Sequence, residues 1–442
     1  MRPGLPRGVI VAHPGTQHSY ETAFGLQQAG LLQEYITGLY FKEGRGIGRV
    51  LPMLPERIRS RALRELAKRR RAGLDERLVR TYPAPEWAYL AAARAPLPAW
   101  LPGSVMRLRN RIFGQLVARR VWSASPDAIL CYDSCALAPF RAAKTGGAVR
   151  ILDQTVCHLT TSIPIITEEQ AAGRSGGGAG TPPKWLIEQC TEEARQADLV
   201  LAGSGFVRES LLKIGVAREG IAILPYGADV KLFAPPPAER RNEPLTAVYA
   251  GQLSPRKGIA YLLEAFARLR SLRCKLLLIG GSAREAESLL ARYGGVFEHV
   301  PSVPRTELAA CLRRADFFVY PSLLDGSALV TYEALASGLP VITTPNSGSV
   351  VRDGVEGFIV PPRDVDALRG RIEQLVRDED LRRSMGIAAR HRAEEFSWAN
   401  YHKRLATLVR SKLETRGSQL ASKSAISGCD PPEPSAALTV PQ

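Results

Sequence analysis

Tyr320-Pro-Ser-Leu-Leu-Asp-Gly-Ser-Ala-Leu-Val-Thr-Tyr-Glu-Ala-Leu-Ala-Ser-Gly-Leu-Pro-Val-Ile-Thr-Thr344 reads as strand end, loop, helix, glycine stop and returning strand. The spacing predicts a helix from about Ser327 to Ser337, closed by Gly338, where a left-handed C-cap favours glycine. Asp325-Gly326-Ser327 then sets unpaired backbone N–H groups at the helix start, and the helix dipole there favours an anion such as a diphosphate. Glu333 is the only charged residue from Gly326 to Pro340, on a helix apolar enough to bury it. A buried carboxylate is costly unless something satisfies it, and a pair of ribose hydroxyls would do so.

Outward from this stretch, short β-branched or apolar runs alternate with helical stretches, the pattern of parallel sheets with crossover helices. The second half offers Ala247-Val-Tyr-Ala-Gly251, Lys275-Leu-Leu-Leu-Ile-Gly-Gly281, Asp316-Phe-Phe-Val-Tyr-Pro321 and Leu339-Pro-Val-Ile-Thr343 as strands. The first half offers Gly8-Val-Ile-Val-Ala12, Glu34-Tyr-Ile-Thr37, Asp127-Ala-Ile-Leu-Cys131, Val149-Arg-Ile-Leu-Asp153 and Asp198-Leu-Val-Leu-Ala202. Length agrees, since 442 residues exceed one ordinary α/β core and suggest two. The proline-rich, aperiodic stretch between Asp229 and Glu243 marks the boundary. The expected organisation is a first doubly wound domain over 1–228, a second over 229–395, a helix over 396–416 packing back on the first domain, and an unpacked Ser/Ala/Pro-rich tail over 417–442. The glycine-rich run between Ala171 and Pro183 reads as a flexible loop.

Ala250-Gly-Gln-Leu-Ser-Pro-Arg-Lys-Gly258 offers two adjacent cations, Arg256 and Lys257, beside the first strand of the second half. Two cations so placed can neutralise charge on a bound anion. Asp364-Val-Asp366 and Asp378-Glu-Asp380 sit at apparent helix starts and read as caps, not metal ligands. In the first half, His13-Pro-Gly-Thr-Gln-His18 follows the first strand at the carboxyl edge, where α/β sheets bind ligands, and Gly15 lets backbone approach a substrate.

The Asp325-to-Glu333 segment resembles the E-x7-E signature of family 4 retaining glycosyltransferases of GT-B fold, with Asp325 in place of the first glutamate. Leu201-Ala-Gly-Ser-Gly-Phe-Val-Arg-Glu-Ser-Leu-Leu-Lys-Ile-Gly215, Ile223-Leu-Pro-Tyr-Gly-Ala-Asp-Val-Lys-Leu-Phe233 and Asp353-Gly-Val-Glu-Gly-Phe-Ile-Val-Pro-Pro362 extend the likeness from about Ala197 to Phe396. The resemblance implies two Rossmann-like doubly wound domains facing a central cleft. It implies transfer of a hexosyl unit from a nucleotide-sugar, without a metal or other cofactor, to a glycan or lipid-linked acceptor. By position, Asp325 meets the donor sugar, Glu333 the ribose, and Arg256 and Lys257 the diphosphate. Gly251, Gly326, Ser327, Ala328, Leu329 and Val330 line the donor, and Gly15 lies between acceptor and donor. His158, just beyond a first-domain strand, is placed at the sugar's reacting face, with Asp153 as an alternative. The other reading is a degenerate nucleotide-sugar-binding protein that kept the fold and lost transfer.

A dinucleotide oxidoreductase would show G-x-G-x-x-G after its first strand, and a serine hydrolase a nucleophile elbow; neither occurs. No lysine stands out as a phosphorylase's pyridoxal-phosphate anchor. Seven scattered cysteines without a CxxC pair read as reduced thiols. The formal net charge is +16, and thirteen Lys/Arg against five acids fall between Lys42 and Arg80. An anionic membrane surface is one reading of this excess and a solvated helix face the other; nucleic acid is disfavoured because aromatics do not interleave with the basic residues. No apolar run reaches the ~20 residues of a membrane span, and the expected location is cytoplasmic, peripheral on the inner face of the plasma membrane.

Overall fold

The computed structural model describes residues 8–15, 17–42, 69–95, 100–174, 182–237, 244–269 and 272–427, with a few isolated positions between 55 and 66. Most of the basic stretch between Lys42 and Arg80, residues 175–181 of the glycine loop, and Cys429 with the end of the tail lie outside them.

The first half runs β1 (Val9–His13), α1 (Ser19–Gln28), β2 (Leu32–Thr37), β3 (Val79–Thr81), α2 (Pro83–Arg94), α3 (Trp100–Ala124), β4 (Ala128–Tyr132), α4 (Leu137–Gly146), β5 (Val149–Gln154), α5 (Leu159–Ala171), α6 (Lys184–Gln196), β6 (Leu199–Ala202), α7 (Gly205–Leu212) and β7 (Ile221–Ile223). Its strands form one parallel sheet in the order β3-β2-β1-β4-β5-β6-β7. The second half runs β8 (Leu245–Ala250), α8 (Ile259–Ala267), β9 (Cys274–Ile279), α9 (Glu287–Arg292), β10 (Glu298–Val300), α10 (Arg305–Leu312), β11 (Phe317–Tyr320), α11 (Leu329–Ala336), β12 (Val341–Thr343), β13 (Gly357–Ile359), α12 (Val365–Arg377), α13 (Glu379–Glu395) and α14 (Trp398–Ser427). Its parallel sheet has the order β10-β9-β8-β11-β12-β13, the same winding begun again. Strands such as Val9–His13 and Phe317–Tyr320 are buried along their whole length, as strands covered by helices on both faces must be.

In each sheet the order reverses beside its first strand, between β1 and β4 and between β8 and β11. Crevices at the carboxyl ends of such strands are the ligand sites of doubly wound sheets. The chain passes between halves twice, side by side. Ala228 N–H donates to Phe396 O at 3.0 Å, and Trp398 N–H to Ala228 O at 3.3 Å. A Cβ on Gly227 would stand 2.5 Å from the Ser397–Trp398 backbone, so this crossing needs glycine. Helix α14 then lies on α1, where Tyr401 OH bonds Thr22 Oγ1 at 2.9 Å and His402 Nε2 meets Glu21 at 3.0 Å. It continues past Gly417 to Ser427, where an unpacked tail was expected; Gln419, Leu420, Ala421 and Lys423 are good helix formers.

Cys131, Cys135, Cys157 and Cys190 are buried and Cys274 and Cys311 half-buried, all as free thiols. Among the described residues no helix is long and apolar enough to cross a membrane.

Candidate active site

The crevice of the second sheet is built by two loops. After β8, Gly251 takes φ +142°, which favours glycine. The chain then makes a 3-10 turn over Pro255–Lys257, closed by left-handed Gly258. A Cβ on Gly258 would overlap Pro321 O at 1.9 Å, so the two loops are pressed backbone to backbone. The turn delivers Lys257 into the crevice, 7% exposed, where it pairs with Asp325. Tyr320 OH donates to the same carboxylate oxygen at 2.9 Å, and the Lys257 ammonium lies 5.6 Å from the Tyr320 ring centroid. Burial pulls Lys257 down to about 8, against the opposing pull of Asp325. Arg256 is half-buried on the same turn, its guanidinium 3.5 Å from Leu324 O.

Helix α11 begins at Leu329, two residues later than the spacing predicts, with Ala328 as N-cap. The reason is local: Asp325 N–H donates to Asn346 O, Gly326 N–H to its neighbour Asp325 Oδ1, and Ala328 N–H to Ser347 O, all at 3.0 Å. Those loop donors are therefore taken. Among the described residues, no acceptor meets the N–H groups of Ser327, Leu329 and Val330, so the free donors at the helix start belong to these three residues, of which Leu329 and Val330 are half-buried. Ser327 is buried, its hydroxyl on Tyr332 OH at 2.6 Å.

Glu333, one helical turn further in, is 3% exposed. Its Oε1 accepts from Arg305 Nη2 at 2.7 Å, and Arg305 itself is half-exposed at the start of α10. Burial pushes the carboxyl up to about 7; Arg305 restrains the rise and Asp229 adds to it. Arg305 has no local sequence signal that would have disclosed it, since 28 residues separate it from Glu333.

The first half presses on this loop. A Cβ on Gly326 would fall 1.7 Å from Thr155 O, and Ser204, the N-cap of α7, donates its hydroxyl to Gly326 O at 2.6 Å. Beside it Glu169 of α5 accepts from Tyr261 OH at 2.8 Å and Arg363 Nε at 2.7 Å, joining the halves through a buried carboxylate. The crevice of the first sheet is lined differently. His13 Nδ1 accepts from Gly15 N–H at 3.1 Å, and burial lowers His13 to about 3, so its ring is neutral. His18 Nε2 meets Asp153 Oδ2 at 2.8 Å, both buried, and Tyr226 lies 4.1 Å from the His18 ring centroid.

His158, expected at the sugar's reacting face, is the N-cap of α5 and has no exposed surface. Nδ1 bonds Thr160 Oγ1 at 2.9 Å and Nε2 bonds Thr191 Oγ1 at 3.3 Å, so both ring nitrogens are engaged inside the first half. Burial lowers it to about 4. Asp364 and Asp378 cap α12 and α13 through Ala367 and Leu381 N–H, each at 2.8 Å, as their positions imply. Among the described residues no group of His, Cys, Asp and Glu could hold a metal ion. A groove of about 520 Å³ runs between α5 and α7, lined by Thr160, Thr161, Ile165, Phe206 and Lys213.

Residues 233–392, which hold the whole second sheet, match the family of glycosyl transferases group 1. WcaL of Salmonella typhimurium, named for colanic acid biosynthesis as a glycosyltransferase, is 30% identical over 233 residues, 49% of this chain and 57% of that one. A GDP-mannose-dependent alpha-(1-6)-phosphatidylinositol monomannoside mannosyltransferase of Mycolicibacterium smegmatis is 28% identical over 73% of this chain and 85% of its own. The chain spans little more than half the length of WcaL and of the inositol 3-phosphate glycosyltransferases it matches, such as that of Nocardia farcinica with 51%. Among solved structures, sucrose-phosphate synthase from Thermosynechococcus elongatus superposes with a TM-score of 0.68 at 19% identity, over 92% of this chain and 100% of that one. The two parallel-sheet Rossmann-like domains of the chain are thus those of the GT-B fold.

Proposed function

We propose that the chain is a retaining glycosyltransferase that works without a metal ion and moves a hexosyl unit from a nucleotide-sugar to a glycan or lipid-linked acceptor of surface polysaccharide or glycolipid synthesis. The observation that carries this is the pairing of buried Lys257 with the Asp325 loop, immediately before the two free N–H groups of α11, at the switch point of the second sheet. A diphosphate there meets the free donors of Leu329 and Val330, the dipole of α11 and the cations of Lys257 and Arg256. Its arrival offsets the desolvation that depresses Lys257 and holds the ammonium charged.

In the reaction the bond from the anomeric carbon to the diphosphate oxygen breaks, carrying its electron pair to the phosphate. The acceptor hydroxyl oxygen bonds that carbon on the same face, and its proton passes to the leaving phosphate. Lys257 and Arg256 neutralise the charge that develops, so no separate base is required. Glu333 accepts from the ribose hydroxyls as Arg305 swings out, and Asp325 takes the sugar. The named activities of WcaL and of the mycobacterial mannosyltransferase favour a polysaccharide or lipid acceptor. The groove between α5 and α7 is a place for its acceptor end, and the basic segment Lys42–Arg80 favours work on the cytoplasmic face of a membrane.

Two observations favour the degenerate reading: His158 is buried as a cap, and Asp325 is held by Lys257 and Tyr320. Calorimetric titration with UDP, GDP, dTDP and ADP in EDTA, beside Glu333→Ala and Arg256→Ala/Lys257→Ala, tests the site. One nucleotide class should bind without metal and weaken in both variants. Turnover of the matching nucleotide-sugar, with the product anomer read by NMR, separates transfer from binding alone. No binding, or binding unchanged in the variants, would sink the assignment.

A further inference from the structure

We propose that the outer face of α3, on the first half and away from the donor site, is an anionic-lipid docking surface. At 3.6 residues per turn, Asn110, Phe113, Gly114, Val117 and Val121 fall on one side of α3 and are buried. Leu108, Arg111, Ile112, Gln115, Arg119 and Trp122 fall within about 120° on the other side, and all six are exposed. Leu108 is 56% and Trp122 75% exposed. A solvated outer face normally carries charges of both signs and few large apolar groups. Here three of the six positions are large and apolar, and α3 holds no acid in its 25 residues. Arg109 and Arg120 turn aside to Glu86 and Glu34 at 2.8 and 2.7 Å, whereas Arg111 and Arg119 have no ionic partner among the described residues.

The stripe from Leu108 to Trp122 is about 21 Å long. Leucine, isoleucine and tryptophan suit the boundary between headgroups and acyl chains, and unpaired arginines flanking them suit anionic headgroups. A nucleic acid would leave Leu108 and Ile112 without partners. The orientation is useful to a lipid-linked acceptor. Helix α3 runs antiparallel to the strands, and Asn110, in its first half, donates to Ser134 Oγ at 2.8 Å in the loop after β4, at the carboxyl edge. A membrane along the stripe therefore lies beside the strands, and the crevices at their carboxyl ends open alongside it.

Flotation of the whole chain with vesicles of phosphatidylcholine, with and without a third of phosphatidylglycerol, tests this. The wild type should float with the anionic vesicles, and the Trp122 emission should shift to the blue. Leu108→Glu/Ile112→Glu/Trp122→Glu should weaken that binding more than about tenfold. Arg111→Gln/Arg119→Gln should reduce the preference for phosphatidylglycerol. Circular dichroism and the nucleotide titration establish that each variant is folded. Because that titration reads the other half, a chain that floats but binds no nucleotide keeps this inference and loses the proposed function. A wild type that does not float, or a triple variant that floats equally well, overturns it. So does a wild-type dimer that the triple variant dissolves without any vesicle binding, which would make a second copy the occupant.

Discussion

The loop after β1 and the loop after β8 occupy the same place in two sheets of the same winding, yet one carries the buried neutral ring of His13 and the other a buried lysine paired with a carboxylate. After β1, His13 turns back on Gly15 and the neighbouring crevice closes over His18, Asp153 and Tyr226. After β8, Lys257 is driven into the crevice against Asp325, and Arg256 stands beside it. Burial works against charge in both, lowering His13 to about 3 and Lys257 to about 8. In the second loop the Asp325 carboxylate opposes that burial at Lys257. A fold does not by itself make a phosphate site; the residues placed at its switch point decide it, and the second half places Lys257 and Arg256 there.

The sharpest way to break this contrast is Lys257→Ala. It removes the cation and leaves half-buried Asp325 with Tyr320 OH and Gly326 N–H. Breaking one side of a buried pair costs about 3–5 kcal/mol, and loss of the charge-assisted contact should weaken nucleotide binding by about 30-fold or more. Lys257→Ala/Asp325→Ala should restore much of the stability and none of the affinity. Urea melts and calorimetry on the four-member cycle check both. Recovery of affinity in the double variant would show that Lys257 serves the loop and not the ligand.

The two halves should also answer pH in opposite senses. Glu333 is raised from 4.5 to about 7 in the folded chain, so the folded state holds its proton longer, and stability is lost as pH rises from 4.5 to 7. Glu333→Gln should therefore gain on the wild type by about 3 kcal/mol over that window. His13 is lowered from 6.5 to about 3, so the unfolded chain takes the proton first, and stability is lost as pH falls below 6.5. His13→Asn, whose side-chain oxygen can accept from Gly15 N–H, should gain about 1.4 kcal/mol for each unit below that point. Denaturant melts at several pH values read both differences; slopes of the same sign would break the contrast. A smaller effect follows at the site itself. Arg305→Ala removes the cation that restrains Glu333, so the pH above which nucleotide binds well should move up by about one unit, read by calorimetry from pH 6 to 9.

How much of this was legible in the sequence depends on burial. Nine strands are readable because they lie in the buried middle of the sheets, where a continuous apolar run is required. The four missing from the readable strands are the outermost strands: β3, β7, β10 and β13. Each is three residues long, and β3, β7 and β10 are largely open to solvent, so no apolar run announces them. Only β13 left a trace, through the resemblance of Asp353–Pro362. At the site, Asp325, Lys257 and Glu333 were readable because a lone charge in an apolar helix or a cation pair after a strand is costly and therefore conspicuous. Arg305, Ser204 and Tyr320 were not, since their roles arise from contacts 28, 122 and 5 residues away between ordinary residue types. The start of α11 was placed two residues early because nothing local shows that Asn346 and Ser347 carbonyls take the loop's N–H groups.

The smallest predicted effect concerns His158. A histidine just beyond a strand can meet the donor sugar, but this ring is enclosed, lowered to about 4 by burial, and bonded through both nitrogens to Thr160 and Thr191. Its contribution is then that of an N-cap. Asparagine caps as well as any residue, so His158→Asn should cost no more than about 1 kcal/mol, chiefly for the lost Thr191 contact. Turnover of the nucleotide-sugar should stay within about twofold of the wild type, because a shift that small corresponds to less than 0.5 kcal/mol at the barrier. A large loss of turnover with unchanged nucleotide affinity would mean that α5 unwinds at its first turn during the reaction and presents His158 to the sugar. The contrast between the halves would then be one of the resting state alone, with the first half bringing its own titratable group to the chemistry only after the donor is in place.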